Sequence, residues 1–345
     1  TGTPKPVVVT HQGVYSLAQQ VVSRYGVEAT SRVLHGYSVN FDAAVLELVL
    51  AFGARAAMVI APRDLLGGEE MAGFLAEQRV THYLSTPAVL ATVPPVDGIE
   101  TVAVGGDVLG AGVVDEWSPG RSMLNAYGPS EATVVATLAE SLRAGEPVTI
   151  GRPLDHVGAL VLDDRLQPVP LGGVGELYLA GPGVARGYRA DPASTAARFV
   201  ATDGGARMYR TGDLVRRELS GLLDYRGRRD DQVQINGVRI ELGDIESALT
   251  AHPDVSAAAA LVVDNRIHAW VVGISEFDAA QWLLDRLPLS MQPAVITSID
   301  RIPLTGNGKV DKAALLPAMM PDFEPGVGRT LTQDVILGIF ADTLG

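Results

Sequence analysis

Four short segments place charged or aromatic side chains beside glycines in turn-like stretches, where such groups can bind a nucleotide and its phosphates. The first is Thr1-Gly2-Thr3-Pro4-Lys5, a loop that offers hydroxyl groups, backbone N–H groups and one ammonium. A polyphosphate needs donors of these kinds. Threonine, glycine and proline are also typical of ordinary turns, so this segment alone leaves both interpretations open.

The second segment, residues 125–131, follows a predicted strand, and open α/β sheets bind ligands at the ends of strands. Tyr127 can stack on a flat base, and Glu131 can hold Mg²⁺ between phosphates. A tight turn with a solvated glutamate fits the same residues equally well.

The third segment ends at Asp213, which can accept both hydroxyls of a ribose, and the fourth places Lys309 in a glycine-rich loop, where its charge can reach an anion. Taken singly, an aspartate in a turn and a lysine in a loop are more typical of an exposed surface. The four segments support a binding site only if the helices and strands around them bring them together.

The stretch before residue 140 alternates β-rich apolar runs with helix-length segments, which predicts a layered α/β fold with a mainly parallel sheet. The predicted helices are 11–25 and 65–77. The predicted strands are 7–10, 57–61, 80–84, 101–104 and 123–127. A β-rich subdomain is expected over 146–229, where short strands are separated by Gly/Pro turns.

A small α+β domain is predicted over residues 230–316, following a large domain over 1–229. Within it, alternating residues around Asn236-Gly237 predict a β-hairpin. Residues 317–329 are typical of a linker, and 330–345 of an amphipathic helix. The predicted fold class is therefore α/β, with a large layered domain, a β-rich subdomain and a small C-terminal domain.

Composition excludes several classes of function. The 345 residues carry 40 acidic and 27 basic side chains, a net charge of −13 that disfavours binding to nucleic acid. All but three of the basic residues are arginine, and there is no cysteine, so any thiol chemistry must use a thiol from outside. No apolar run has the length of a membrane helix, and the first residues lack the pattern of a signal peptide. A cytoplasmic location, away from membranes, is the default expectation.

In this order, eight segments closely resemble the adenylation domains of nonribosomal peptide synthetases, members of the adenylate-forming superfamily with acyl-CoA synthetases and luciferase. The segments are TGTPKP, FDAAVLE, NAYGPSEAT, GELYLAGPGVARGY, YRTGDL, GRRDDQVQINGVRIELGDIE, LPLSMQP and NGKVDK. They span almost the whole chain, although family members carry a further segment before the first of them. The final helix resembles the start of a carrier (thiolation) domain.

The resemblance implies activation of a carboxylate by ATP and Mg²⁺ to an acyl-adenylate with release of pyrophosphate, followed by transfer to the phosphopantetheine thiol of a carrier domain. A small MbtH-like accessory protein is a second expected partner. The resemblance further implies catalytic roles for Lys309 and Glu131, with Glu131 as the metal ligand, and a hinge at Asp230. The implied ATP-binding residues are Thr1, Gly2, Thr3 and Lys5 for the triphosphate, Gly106, Asn125, Tyr127 and Tyr225 for the adenine, and Asp213 and Arg228 for the ribose.

The resemblance also indicates the substrate. Asp42 matches the carboxylate that pairs with a substrate α-ammonium, which favours an amino acid. The positions expected to line the side-chain pocket are Ala43, Leu46, Leu84, Ala103, Gly105, Ala126, Val134 and Val135. Because none of them is polar, an apolar amino acid is predicted. Two alternatives stay open: an acyl-CoA-type ligase of the same superfamily, and a non-catalytic fragment that docks a carrier.

Overall fold

The computed structural model describes residues 5–65, 67–202, 204–229, 232–235, 238–263, 265–303 and 310–316. These residues divide into two compact units, Thr1–Asp244 and Ile245–Gly345, and each unit is described by itself. The domain boundaries expected from the sequence, including the hinge at Asp230, the linker 317–329 and the carrier segment 330–345, stay predictions. Asp230 and the residues after 316 lie outside the described part of the chain.

The first unit contains a seven-stranded sheet with the order β2-β1-β3-β4-β5-β6-β7. The five strands β1 to β5 are parallel where they pair, and β6 and β7 are antiparallel. The strands are β1 (Arg32–His35), β2 (Ala57–Ile60), β3 (His82–Ser85), β4 (Thr101–Gly105), β5 (Ser122–Tyr127), β6 (Thr137–Ala139) and β7 (Arg152–Pro153). The carboxyl ends of β1, β3, β4 and β5 therefore meet at one edge of the sheet.

Helices cover both faces of this sheet. They are α1 (His11–Arg24), α2 (Ala43–Ala54), α3 (Gly68–Glu77), α4 (Pro87–Leu90) and α5 (Ala111–Trp117). Side chains alternate along each strand, so Leu84 packs with α1 and α2 on one face while Tyr83 packs with α3 and α5 on the other. Ala103, between Val102 and Val104, follows the same alternation. Helix α1 begins at the cap Thr10, whose hydroxyl accepts the N–H of Gly13 at 3.1 Å.

The β-rich subdomain is a second, antiparallel sheet. Its strands are β8 (Gly158–Leu162), β9 (Val174–Ala180), β10 (Phe199–Ala201), β11 (Arg207–Arg217) and β12 (Leu223–Arg228), with α6 (Pro192–Arg198) before β10. The order is β10-β11-β9-β8, and β12 also pairs with β11. Strand β11 thus holds Asp213 opposite Arg228 of β12. Next come β13 (Gln232–Ile235) and β14 (Val238–Glu241), which pair antiparallel as the predicted hairpin requires; Asn236 and Gly237 lie outside the described residues.

The second unit is a three-stranded sheet with helices. Its first helix, α7 (Leu242–Thr250), begins three residues before the boundary of the unit at Ile245. The elements that follow are β15 (Ala257–Val263), β16 (Arg266–Val272), α8 (Glu276–Leu284), β17 (Val295–Ser298) and α9 (Lys312–Leu315). Strand β16 lies in the middle, antiparallel to β15 and parallel to β17. Its core contains Trp270 and Leu315. The predicted α/β fold class is confirmed.

The structure departs from the predicted strands in two places. Residues 7–10 do not form a strand: Val7 makes an isolated bridge to Tyr188, because the segment contacts the chain near Gly187 over only a few residues. Conversely, β1 was not predicted, since its four residues are too few for a clear alternating pattern. Among the described helices, none is long and apolar enough to span a membrane.

Candidate active site

The predicted pocket residues gather on one face of the parallel sheet, at its carboxyl edge. Ala103 and Gly105 lie on β4, with Ala126 beside them on β5. They belong to the face covered by α1 and α2 because they alternate with the residues packed on the other side. One apolar cluster on this face includes Leu46, Leu84, Ala103, Ala126, Val134 and Val135.

Small residues are required at this point of the sheet. A Cβ added to Gly105 would lie 2.7 Å from the carbonyl oxygen of Ala126, so a larger residue would push the two strands apart. Ala43 is half-buried at the first position of α2. The structure therefore brings six of the eight predicted pocket residues into one apolar cluster, with Gly105 beside Ala126.

The loop after β5 closes this region with a strained backbone. Thr133 and Val134 both have positive φ angles, 62° and 67°, which a β-branched residue such as valine rarely adopts. The Thr133 hydroxyl donates to the carbonyl of Gly183 at 2.6 Å and helps to hold the loop. Strain of this kind persists where the surrounding structure fixes a functional geometry. Here it fixes Val134 beside the apolar cluster.

Asp42 occupies the N-cap position of α2 but does not act as a cap. Within the described residues its side chain makes no capping hydrogen bond; instead Oδ2 accepts the hydroxyl of Ser130. Burial raises the pKa of Asp42, and the nearby charge of Glu131 adds to the rise, while the bonds from Ser130 and the Ala43 N–H oppose it. A half-buried carboxylate with this environment gains from a cationic partner.

Glu131 follows Ser130 in a short 3₁₀ turn, Ser130–Ala132. Its carboxylate is buried, and Oε1 accepts the hydroxyl of Tyr188 at 2.6 Å. Burial raises the pKa of Tyr188, and the charges of Tyr209 and Glu131 add to it, so the phenol stays a donor. Magnesium is commonly held by one or two carboxylates together with substrate phosphates. A single carboxylate held in place by a phenol fits that role.

A second cluster of polar side chains, Tyr127, Asp213 and Arg228, lies where the parallel sheet meets the β-rich sheet. The hydroxyl of Tyr127, at the end of β5, donates to Oδ2 of Asp213, and Nη1 of Arg228 donates to Oδ1 at 2.7 Å. The Asp213 N–H donates to the Thr211 hydroxyl at 3.0 Å. Burial raises the pKa of Tyr127 well above its usual value, and the charge of Asp213 adds to the rise. Three predicted ATP-binding residues are thus joined directly.

The remaining predicted ATP-binding residues have different surroundings. Asn125 is buried, and its Nδ2 donates to the carbonyl of Thr149 at 2.8 Å, so it anchors β5 to the following loop. Tyr225 and Tyr127 pack against the same apolar cluster. Gly106 is exposed just after β4, with φ 81°, a conformation that favours glycine. These three positions stay predictions as adenine contacts.

Lys5 is exposed, and its charge helps to lower the pKa of Asp191, after the larger effect of the hydrogen bonds from Ser194. The other predicted phosphate-loop residues, Thr1, Gly2 and Thr3, lie outside the described residues. So does the predicted catalytic Lys309. Their roles stay predictions.

Sequence reasoning missed two partners in the site. Ser130 and Tyr188 both lie inside quoted motifs, yet no role was assigned to them. They bind Asp42 and Glu131 across 88 and 57 residues of sequence. A hydroxyl in each motif was the available signal. The Ser130 pairing depends on the order of strands within the parallel sheet, and the Tyr188 pairing on how the two sheets are connected.

Comparison with known proteins assigns the class to which this fold belongs. The AMP-binding enzyme family matches residues 1–189, and the chain belongs to this family. The sequence is 43% identical over its full length to a probable non-canonical nonribosomal peptide synthetase, CymA, of Salinispora arenicola. It is 41% identical over 99% of its length to novobiocin biosynthesis protein H of Streptomyces niveus. The expected resemblance to nonribosomal peptide synthetase adenylation domains is confirmed.

The chain spans 5% of CymA and 60% of the novobiocin protein. Among solved structures, PA1221, a nonribosomal peptide synthetase protein with adenylation and PCP domains, superposes with a TM-score of 0.82 at 30% identity. That match covers 92% of this chain and 58% of PA1221. IdnL1 superposes with a TM-score of 0.79 at 28% identity, over 87% of this chain and 66% of IdnL1. The adenylate-forming fold expected from the sequence is therefore confirmed.

Proposed function

We propose that this chain activates an amino acid with ATP, forming an aminoacyl-adenylate and releasing pyrophosphate. A substrate carboxylate oxygen attacks the α-phosphorus in line, a new P–O bond forms, and the bond to the bridging oxygen breaks, so that its electron pair leaves with pyrophosphate. One observation carries the proposal. Ser130 donates to Asp42 on the amino-acid side, and its neighbour Glu131 lies in the same turn on the predicted phosphate side.

Asp42 supports an amino acid as the substrate. Its carboxylate is held at the start of α2 by Ser130, and within the described residues no cationic side chain pairs with it. A substrate α-ammonium would supply the missing positive charge and offset the cost of burial. A simple carboxylic acid would leave Asp42 without that partner.

The cluster around Leu46 and Leu84 supports an apolar side chain. Its members offer no hydrogen-bonding group to a substrate side chain, so a polar group there would lose its bonds to water without replacement. The residues on the sheet side of this cluster, at the carboxyl ends of β4 and β5, are small.

On the nucleotide side, Asp213 would accept the ribose hydroxyls while Arg228 and Tyr127 hold it in place. Glu131 would bind Mg²⁺, which, when bound, neutralises phosphate charge during transfer. Lys309 and Lys5 would meet the new bond and the leaving phosphates, since a compact ammonium suits a moving anion better than a guanidinium.

Transfer of the aminoacyl group to the phosphopantetheine thiol of a carrier domain is the second proposed step. PA1221, which contains both an adenylation and a PCP domain, supports such a partner. The thiolate would attack the carbonyl carbon, forming a thioester and releasing AMP. Movement about Asp230 would bring the hairpin of β13 and β14 into use for this step. An MbtH-like accessory protein stays a prediction from the sequence.

ATP–pyrophosphate exchange with each of the twenty proteinogenic amino acids tests the proposal. Leucine, valine, phenylalanine or another apolar amino acid should give the fastest exchange, and coenzyme A should not stimulate AMP release. A preference for aspartate, lysine or glutamine would contradict the apolar pocket. Exchange driven by carboxylic acids with CoA-dependent AMP release would instead indicate the acyl-CoA-type ligase.

A further inference from the structure

Glu47 is a buried acid for which the proposed reaction has no use. It lies on α2, five residues after Asp42, and its side chain has no exposed surface. Burial raises the pKa of Glu47 to about 8, although hydrogen bonds from two backbone N–H groups oppose the rise. Retaining a carboxyl group in such a place is costly unless it makes specific bonds.

Those bonds all lead to the loop that ends at Asp42. Glu47 Oε2 lies 2.7 Å from Nδ1 of His35, the last residue of β1. Glu47 Oε1 accepts the N–H groups of Gly36 at 3.1 Å and Tyr37 at 3.3 Å. One side chain on α2 therefore binds three consecutive residues at the start of the loop, whose other end is the first turn of the same helix.

The loop between these two ends is short and partly held by its own turn, in which the Phe41 N–H donates to the Ser38 carbonyl at 2.9 Å. Asp42 follows directly and has helical backbone angles but no capping bond among the described residues. Its orientation thus depends on the path of residues 36–41 and on Ser130. A shift of about 1 Å in a binding group is enough to lose much of its effect.

We propose that Glu47 and His35 are positioning residues: their contact, with the two backbone bonds to Glu47, fixes the loop 36–42 and so places Asp42 for the ammonium of the substrate. This inference rests on the proposed function of Asp42. The titratable groups that interact with Glu47 are His35 by direct contact and, through its charge, Tyr37 of the loop and Tyr83 of β3. Oε2 contacts Nδ1 of His35, where the donor depends on the ring tautomer, while Oε1 accepts from the two N–H groups of the loop.

This arrangement makes glutamine a conservative replacement. In Glu47→Gln, the amide oxygen can still accept from Gly36 and Tyr37, and the amide nitrogen can donate to His35. Glu47→Ala removes all three bonds. Glu77→Ala, an exposed glutamate at the end of α3, is the matched control.

The first experiment is amide hydrogen exchange of the full chain without substrate. In Glu47→Ala, exchange across residues 36–42 should be at least about tenfold faster than in wild type, while Glu47→Gln and Glu77→Ala stay near wild type. Unchanged exchange in Glu47→Ala would overturn the proposal. Should that variant not fold, His35→Ala removes one bond only and should give the same pattern at smaller size.

The second experiment measures KM in pyrophosphate exchange with ATP and the amino acid that wild type activates fastest. Glu47→Ala should raise the KM for the amino acid about tenfold or more and leave the KM for ATP within about twofold. In Glu47→Gln, both KM values should be close to those of wild type. Equal rises in both KM values would overturn the positioning role. If wild type showed no pyrophosphate exchange with any amino acid, the proposed function would be overturned instead. Amide hydrogen exchange would still decide whether Glu47 fixes the loop 36–42.

Discussion

Asp213 accepts bonds from the hydroxyl of Tyr127 and the guanidinium of Arg228, whereas Asp42, within the described part of the chain, accepts only from neutral groups, among them the hydroxyl of Ser130 and the N–H of Ala43. Asp213 lies in the β-rich sheet, and the protein itself supplies its cationic partner, Arg228. Asp42 begins a helix of the parallel sheet's outer layer, and burial raises its pKa.

The difference indicates two modes of recognition. A carboxylate already paired with arginine is a rigid acceptor for neutral groups such as ribose hydroxyls. A buried carboxylate without a cation favours a ligand that brings one. The nucleotide side should therefore contribute to stability as well as to binding, while the amino-acid side should contribute to binding and cost some stability when empty.

The largest expected effect is on the amino-acid side. Asp42→Ala should lower kcat/KM for the amino acid in pyrophosphate exchange by about 10²–10³-fold, because a buried charge pair with the substrate is lost. The free energy of unfolding should stay the same or rise slightly, since a desolvated carboxylate is removed. Exchange kinetics and urea unfolding of the same preparation check both parts.

Asp155→Ala, which removes an exposed carboxylate paired with Arg24, is the control and should change neither quantity. A marked loss of stability in Asp42→Ala would show that Asp42 is structural, and the contrast with Asp213 would not hold.

The next effect is on the nucleotide side. Arg228→Met should lower the free energy of unfolding by about 3 kcal/mol, because Asp213 stays buried without its cation. The affinity for ATP should fall with it. Chemical denaturation and ATP binding by calorimetry measure the two changes.

Arg226→Met lies on the same strand and removes an exposed arginine from Asp224, which keeps its second partner Arg216, so its cost should be within about 1 kcal/mol. If both variants lost equal stability, the buried pair would have no special role.

The third effect, smaller than the second within any one pH unit, concerns pH. The usual pKa of Glu47 is 4.5 and its pKa in the folded chain is about 8, so the folded chain keeps this proton while the unfolded chain loses it. Its contribution to stability is complete below pH 4.5 and is lost as pH rises through 8. Wild type should therefore lose stability relative to Glu47→Gln across that window, by at most about 1.4 kcal/mol per pH unit. Parallel pH profiles of unfolding for the two proteins would contradict this.

The smallest effect is expected at Ser130. Ser130→Ala removes the hydroxyl that donates to Asp42 and should raise the KM for the amino acid about threefold to tenfold, the net contribution of one ordinary hydrogen bond. The KM for ATP should change less. Ser23→Ala, which loses a local bond on α1, is the control. If Ser130→Ala impaired pyrophosphate exchange with the amino acid more than Asp42→Ala does, the ranking of Asp42 above Ser130 would be reversed.

The sequence predicted the residue types of the site better than their partners. Asp42, Asp213 and Arg228 were assigned from motifs, and the fold brings Asp213 and Arg228 together through the pairing of β11 and β12. The hydroxyls of Ser130 and Tyr188 were not assigned, because their bonds join segments 88 and 57 residues apart that only the fold brings near.

The same limit explains the strands. The predicted segment 123–127 is apolar and ends in a recognisable motif, and it corresponds to β5. The four residues of β1 give no such signal, and yet β1 supplies His35 to the loop before Asp42. Glu47 shows the limit at one residue: in the sequence it is a polar position on a helix, and only the fold places it under the loop.

The most direct test of the central claim uses two ligands that differ by one group. Pyrophosphate exchange should be measured with L-leucine and with 4-methylpentanoate, which keeps the side chain and the carboxylate but lacks the ammonium. If leucine is not accepted, the fastest apolar amino acid and its deaminated analogue replace the pair. The account predicts exchange at least about 10²-fold faster with the amino acid in wild type, and loss of that preference in Asp42→Ala. Equal exchange with both ligands in wild type would contradict it.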